Sequence, residues 1–211
     1  METPAIEPAR KPRADAVRNR ERVLVAAKEV FSKGGADASL ETVAKRAGVG
    51  IGTLYRHFPT REALYEAVYQ HEVRQLVELA EKLNRRDAPV EALRRWMRSV
   101  VEFIATKKGM LAALALAVTA SSELHTRSSE RLAKAAGLLL ERAVAEREIR
   151  SDIDPGDLVR GLIGMCLVHN QPGWQANVLP LVDVLVDGLR LPVKIKTNHA
   201  GAGKRARTKR D

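Results

Sequence analysis

The sequence predicts an all-α fold: an N-terminal three-helix unit of helix-turn-helix type followed by a larger C-terminal helical domain. Three observations carry that expectation. Of the 211 residues only 4% are aromatic although 45% are apolar, and Ala, Leu, Val, Glu, Arg and Lys dominate, which favours helix over sheet. Apolar residues recur at three- and four-residue spacing, whereas no window alternates at period two for a strand's length. Pro, Gly, Ser, Thr and Asp stand at the ends of those runs, where helices start and stop.

Residues 1–13 hold Pro4, Pro8 and Pro12 without apolar periodicity and read as a disordered basic arm. The first helix is expected from Asp15 to Lys33, with Val23, Ala27, Val30 and Phe31 on its buried side and Gly34 and Gly35 as its stop. Residues 39–58 then form two short helices joined by a tight turn. Leu40, Val43, Ala44 and Ala47 give the first an apolar face, Ser39 stands at its N-cap, and Gly48 can take the left-handed conformation that ends it. The second runs from about Gly50 to His57, with Leu54 and Phe58 on one side and Gly52, Thr53, Arg56 and His57 on the other. That free face offers close approach, a hydroxyl, a guanidinium and an imidazole, groups that a major groove or a phosphate backbone can use. Ile51 projects beside Leu54 and Phe58 on the helical wheel, which argues for a core position.

Pro59 separates this unit from a long helix, Arg61 to Asn84, capped by Thr60 and carrying Leu64, Val68, Leu76, Leu79 and Leu83 inside. Arg61 lies in its first turn, where a cation opposes the helix dipole, and so suggests an external anion. Pro89 opens the next helix, which carries Leu93, Trp96, Val100, Phe103 and Ile104 to about Thr106. Lys107-Lys108-Gly109 reads as a break, and Met110 to Val118 as a short enclosed helix. Ser121 and Ser122 cap a helix reaching about Glu146, with Arg147 near its end. Asp154 and Pro155 start another, to about Asn170; a calcium loop here would require Glu where Ile163 stands. The last helix runs to about Arg190 and is expected to begin near Asn177, so that Pro180 falls in the first turn.

Residues 18–69 resemble the DNA-binding domain of the tetracycline-repressor (TetR) family of bacterial transcription regulators. The resemblance is carried by Val23-Leu24, Ala26-Ala27, Phe31 and Gly34, then Ser39-Leu40, Val43-Ala44 and Ala47-Gly48-Val49. Gly52-Thr53-Leu54-Tyr55-Arg56-His57-Phe58 and Arg61-Glu62-Ala63-Leu64 complete it. It implies a helix-turn-helix domain at residues 14–60 and an effector-binding and dimerisation domain at 61–191; residues 192–211, rich in Gly, Lys and Arg, read from their composition as a disordered basic tail. It further implies a repressor that binds a palindromic double-stranded DNA operator as a homodimer and is released by a small, apolar effector. Gly50, Ile51, Gly52 and Thr53 would approach bases or phosphates, Tyr55 and His57 the backbone, and Arg61 a phosphate, where the family commonly has lysine. Ser39 would touch phosphate as well, and Arg56, at a variable position, is the candidate sequence reader. If Ile51 faces DNA it can offer only apolar contact, for example to a thymine methyl.

Beyond residue 84 the family likeness is one of pattern. Trp96, Phe103, Met110, Leu114, Leu139, Leu162, Met165, Cys166 and His169 are candidates to line an effector cavity, although each also suits plain core. Val159, Ile163, Leu181, Val182, Val184, Leu185 and Leu189 give the last two helices apolar surface on two sides, which favours an isologous four-helix interface over internal burial.

Charge and motif content exclude other classes. The net charge is +10, but residues 193–211 hold seven basic and one acidic residue, so most of the excess lies in the tail. No apolar run approaches the ~18 residues of a membrane span, and the N-terminus lacks a signal peptide's apolar core, so a cytoplasmic protein is expected. A single cysteine rules out an internal disulfide, and Cys166 with His169 lacks a third metal ligand. Without a Gly-rich phosphate loop, a His-Glu-x-x-His pair or a nucleophile elbow, neither an enzyme nor a cofactor is expected. The alternative is a noncatalytic helical protein-interaction module with a basic tail.

Overall fold

The computed structural model describes residues 12–34, 38–113, 122–169 and 171–192. Over these the chain forms α1 (Pro12–Gly34), α2 (Leu40–Ala47), α3 (Ile51–His57), α4 (Arg61–Arg86), α5 (Pro89–Ala113), α6 (Ser122–Ala145), α7 (Pro155–Val168) and α8 (Gln175–Leu189). The caps are those the sequence marks. Ser39 Oγ accepts from Thr42 N at 3.1 Å, Thr60 Oγ1 from Ala63 N at 3.0 Å and Asp154 Oδ1 from Asp157 N at 2.9 Å, each satisfying a helix-end amide that has no partner within the helix. An isolated antiparallel bridge joins Ile149 to Arg190, outside any strand.

Two groups of buried side chains organise the helices. The first gathers Val23, Leu24 and Phe31 of α1, Val43 and Ala47 of α2, Leu54 and Phe58, and then Leu64, Tyr65 and Val68 of α4. The second begins at Tyr69 on the same helix and extends through α5, α6, α7 and α8. α4 therefore changes cores between Val68 and Tyr69. On α4 just past that point, Glu72 pairs with Lys28 of α1, and His71 Nε2 lies 3.4 Å from Glu21 Oε1.

Directional contacts fix the second group. Trp96 Nε1 donates to Leu76 O at 2.9 Å, fastening α5 to α4. Arg94 reaches Asp183 Oδ1 at 3.1 Å and Asp187 Oδ1 at 2.5 Å, and Arg98 Nε reaches Asp183 Oδ1 at 3.2 Å, binding α8 to α5. The hydrogen bond from Arg98, helped by Arg94, holds the Asp183 carboxyl below the usual carboxylate range. Arg142 of α6 donates to Asp87 O at 2.9 Å and also to Asn84 O, closing the C-terminal end of α4.

Several boundaries differ from the sequence expectation, each for a local reason. α1 starts at Pro12 rather than Asp15, and proline is well suited to a first helical position. α4 runs two residues further, to Arg86. α5 does not break at Lys107-Lys108-Gly109 but continues to Ala113. Both lysines are used in tertiary contacts. Lys107 lies 5.3 Å from the Tyr69 ring centroid, where burial pushes its pKa down. Lys108 Nζ donates to Cys166 O at 2.7 Å and His169 O at 2.6 Å, and sits 4.5 Å from the Trp174 ring centroid. A cation thus closes the carbonyl end of α7, as the helix dipole favours. The proposed separate helix at 110–118 is therefore continuous with α5 at its start, and residues 114–121 lie outside the described residues. α8 begins at Gln175, so Pro180 is its sixth residue and not in the first turn.

α6 ends through a left-handed residue that is not glycine. Arg147 has φ 57°, its N donates to Val144 O at 2.9 Å, and Glu148 N donates to Ala143 O at 2.9 Å. These two bonds make a Schellman termination. Because a side chain in this conformation carries a steric cost, Arg147→Gly is expected to raise stability by about 0.5–1 kcal/mol in urea unfolding; a loss of stability would contradict the assigned turn. Lys108→Met, which strands the carbonyls of Cys166 and His169, is expected to lower it by about 1–2 kcal/mol in the same measurement.

Candidate nucleic-acid interface

The presentation of α3 depends on the turn before it. Gly48 has φ 62° and ψ 40°, its N donates to Lys45 O at 3.1 Å, and Val49 N donates to Ala44 O at 3.0 Å. A Cβ at Gly48 would stand 2.4 Å from Arg22 Nη2, the same nitrogen that donates to Gly48 O at 3.3 Å. The positive φ favours glycine here, whereas the Arg22 guanidinium, at the far end of a flexible side chain, can shift. Arg22 and Arg20 are props of this unit: the Arg20 guanidinium lies 5.5 Å from the Phe58 ring centroid. An arginine 26 residues before the glycine turn, on another helix, carries no sequence signal for that role.

Gly50 caps α3 in an extended conformation, its carbonyl accepting from Thr53 N at 2.9 Å and Leu54 N at 3.1 Å. Leu54 and Phe58 are buried and anchor the helix. Gly50, Gly52, Tyr55 and Arg56 are exposed, Thr53 and His57 half-buried. No atom lies within 4 Å of a Cβ built on Gly50 or Gly52. Ile51 is 39% exposed and Tyr55 44%. Of the two directions left open for Ile51, the structure has the outward one: Leu54 and Phe58 suffice to anchor so short a helix, and its first residue projects past them. Ser39 is half-buried, with its hydroxyl engaged at the α2 cap.

Arg61 differs from a side chain extended toward solvent. It is half-buried, its guanidinium 5.2 Å from the Phe31 ring centroid, and its Nε and Nη2 are buried without a hydrogen-bond partner. A swing outward would hydrate or pair both nitrogens. Arg56, by contrast, is exposed and makes no ion pair or side-chain hydrogen bond among the described residues.

The candidates for an effector cavity divide. Trp96, Phe103, Leu139, Leu162 and Cys166 are buried together in the second core, and burial pushes the Cys166 thiol up to about 11 against the opposing effect of Lys108. Met165 and His169 are half-buried. The Met110 side chain and Leu114 lie outside the described residues. Among the described cavities, Phe103 lines one, with residues of α1 and α4. The interface candidates also divide. Val159, Val182 and Leu189 are buried within the chain's own core, Ile163 and Leu185 are half-buried, and Leu181 and Val184 are exposed at 44% and 68%. Leu167 and Val168 of α7, not singled out in the sequence, are also exposed.

Residues 23–68 match the family described as bacterial regulatory proteins, tetR family, and residues 88–191 the C-terminal domain of SbtR-like transcriptional regulators. A TetR transcriptional regulator of Streptomyces coelicolor is 42% identical, with a TM-score of 0.73 over 81% of this chain and 98% of that one. A TetR transcription regulatory protein of Mycobacterium vanbaalenii is 34% identical, with a TM-score of 0.68 over 85% and 99%. Curated relatives match over a shorter stretch. An HTH-type transcriptional regulator of Staphylococcus aureus is 39% identical over 62 residues, 29% of this chain, so the match spans only 34% of that relative's length. UidR of Escherichia coli strain K12 is 44% identical over 50 residues, 23% of this chain and 26% of its own. With both regulator domains matched along one chain, and a relative at 42% identity covered almost from end to end, the protein belongs to the TetR family of transcriptional regulators.

Proposed function

We propose that the protein is a homodimeric, ligand-responsive repressor that binds a palindromic double-stranded DNA operator from the cytoplasm. The observation that carries this reading is the outward face of α3, where Gly50, Ile51, Gly52, Tyr55 and Arg56 are accessible while Leu54 and Phe58 hold the helix in place. Bare glycines let the backbone approach closely, Ile51 offers apolar contact to a thymine methyl, and Arg56 reads a base edge. Thr53, Tyr55, His57 and Ser39 contact the backbone, and Arg61 leaves the Phe31 ring to meet a phosphate.

The domains proposed are residues 14–60 for DNA and 61–191 for effector and dimer, with α4 linking them. Two recognition helices, one from each protomer, enter major grooves about one helical turn apart, ~34 Å. The interface is formed by exposed Leu167 and Val168 on α7 and Leu181 and Val184 on α8, flanked by half-buried Ile163 and Leu185. Val159, Val182 and Leu189 support those helices from within. A small apolar effector at the second core shifts the population toward a spacing that no longer fits the operator. Among the described residues no helix is long and apolar enough to cross a membrane.

Selection of bound sequences from random DNA is expected to return a palindrome; enrichment of none would end the operator reading. Arg56→Ala is expected to relax the consensus at one position per half-site at a cost of about 1–3 kcal/mol, while Arg61→Ala weakens all sequences alike. An unchanged consensus with Arg56→Ala would remove its assigned role. For the interface, Val184→Glu is expected to convert the dimer to monomer in sedimentation, because it buries an unpaired charge against its symmetry mate. A variant that stays dimeric would place the interface elsewhere.

A further inference from the structure

We propose that the groove where α1 crosses α4 and α5 is a second small-molecule site, selective for a compact organic cation with an apolar body. It goes beyond the effector reading above, which places an apolar ligand at the second core. The groove has a volume of about 250 Å³. That is below the range of sites for drug-sized ligands, about 300–1,000 Å³, so the occupant is smaller, on the order of ten non-hydrogen atoms.

The lining sets the ligand's chemistry. Leu76, Leu79 and Phe103 supply an apolar floor, and Lys28, Glu72 and Glu102 supply the charges. One cation faces two carboxylates. The Glu72 side chain is 8% exposed and depends on Lys28, itself 40% exposed, as its ion-pair partner. Glu102 is exposed, and its carboxylate has no hydrogen bond or ion pair among the described residues. The groove therefore carries one negative charge in excess, on exposed Glu102, beside an apolar floor, while the sheltered carboxylate is Glu72, where charge interactions are stronger than on an open surface. An anion is disfavoured, and a neutral ligand leaves Glu102 unpaired. A cation can pair with Glu102 and compete with Lys28 for Glu72.

The position gives occupancy a structural meaning. Lys28 belongs to the helix that packs in the first core, and Glu72 lies on α4 just past the change of cores. A ligand that takes Glu72 from Lys28 therefore releases one of the two polar contacts, Lys28 with Glu72 and Glu21 with His71, that join α1 to α4 there.

Benzamidine is a suitable probe, being a planar cation on a single ring, with neutral benzamide and anionic benzoate as matched controls. In calorimetry on the full chain at low salt without DNA, benzamidine is expected to bind at one molecule per chain. Benzamide and benzoate are expected to bind at least about tenfold more weakly. Glu102→Gln, at an exposed and unpaired position, is expected to weaken benzamidine about tenfold without disturbing the fold. Leu79→Trp fills the groove and is expected to abolish binding. Lys28→Met removes the competing internal cation, so benzamidine is expected to bind it more tightly than wild type and to restore the melting temperature that the variant loses. Equal binding of benzamide and benzamidine, or an unchanged benzamidine affinity in Glu102→Gln, would overturn the site. Because these measurements use no DNA, their failure leaves the operator reading standing, and a failed DNA selection leaves this site standing.

Discussion

α4 buries Leu64, Tyr65 and Val68 against α1, α2 and α3, and from Tyr69 onward buries Val73, Leu76, Ala80 and Leu83 against the C-terminal helices. No loop intervenes between the two sets, so the orientation of the helix-turn-helix is inherited from the packing of the second core. Both ends of this rod are fixed, by the Thr60 cap at one and by Arg142 on the carbonyls of Asn84 and Asp87 at the other. Over its 26 residues an α-helix spans about 39 Å at ~1.5 Å per residue. A tilt of only about 5° at the far end moves the near end by roughly 3 Å over that length. Close-packed cores respond to such a displacement by stepping between discrete arrangements rather than by bending.

The joint between the two cores is polar as well as apolar. Glu72 and His71 are among the few buried charged or polar residues, and both face α1. Arg74 Nη2 lies 2.9 Å from His71 Nδ1, so the imidazole stands between a guanidinium on its own helix and Glu21 on α1. Apolar surfaces tolerate sliding, whereas paired charges specify one register. This joint is therefore where a change in α4 is either passed to the DNA-binding unit or lost. Farther away, Trp96 on Leu76 O and the Arg94 and Arg98 contacts to Asp183 keep α5 moving with both α4 and α8.

What could be read from the chain alone was what local chemistry dictates. Ser39, Thr60 and Asp154 cap helices because their side chains accept from amides three residues on, and Gly48 ends α2 because the turn needs a positive φ. The tetR-type resemblance, from Val23 to Leu64, rested instead on likeness to a known family's residue pattern. Tertiary use of a side chain was not legible. Lys107 and Lys108 look like an interruption until Tyr69, Trp174 and the end of α7 are seen to receive them. Arg61 promises an anion at a helix start and instead lies on Phe31. Periodicity showed apolar residues on two sides of α7 and α8, but which side faces inward is set by α5 and α6. Val182 is accordingly buried and Val184 exposed, though they stand only two positions apart.

The two bare positions on α3 bear on how the protein's specificity can change over time. Gly50 has φ −68° and ψ 147°, a conformation open to any residue, and neither it nor Gly52 has an atom within 4 Å of where a Cβ would go. Most positions on so short a helix serve either the fold or the surface, and here the two are separated: Leu54 and Phe58 hold the fold, while the opening turn is structurally idle. A mutation adding a side chain at either glycine meets no packed neighbour. Descendants of this sequence can therefore vary the outward surface of the recognition helix there without first surrendering stability, a freedom that Gly48, held at positive φ three residues before the helix, does not share.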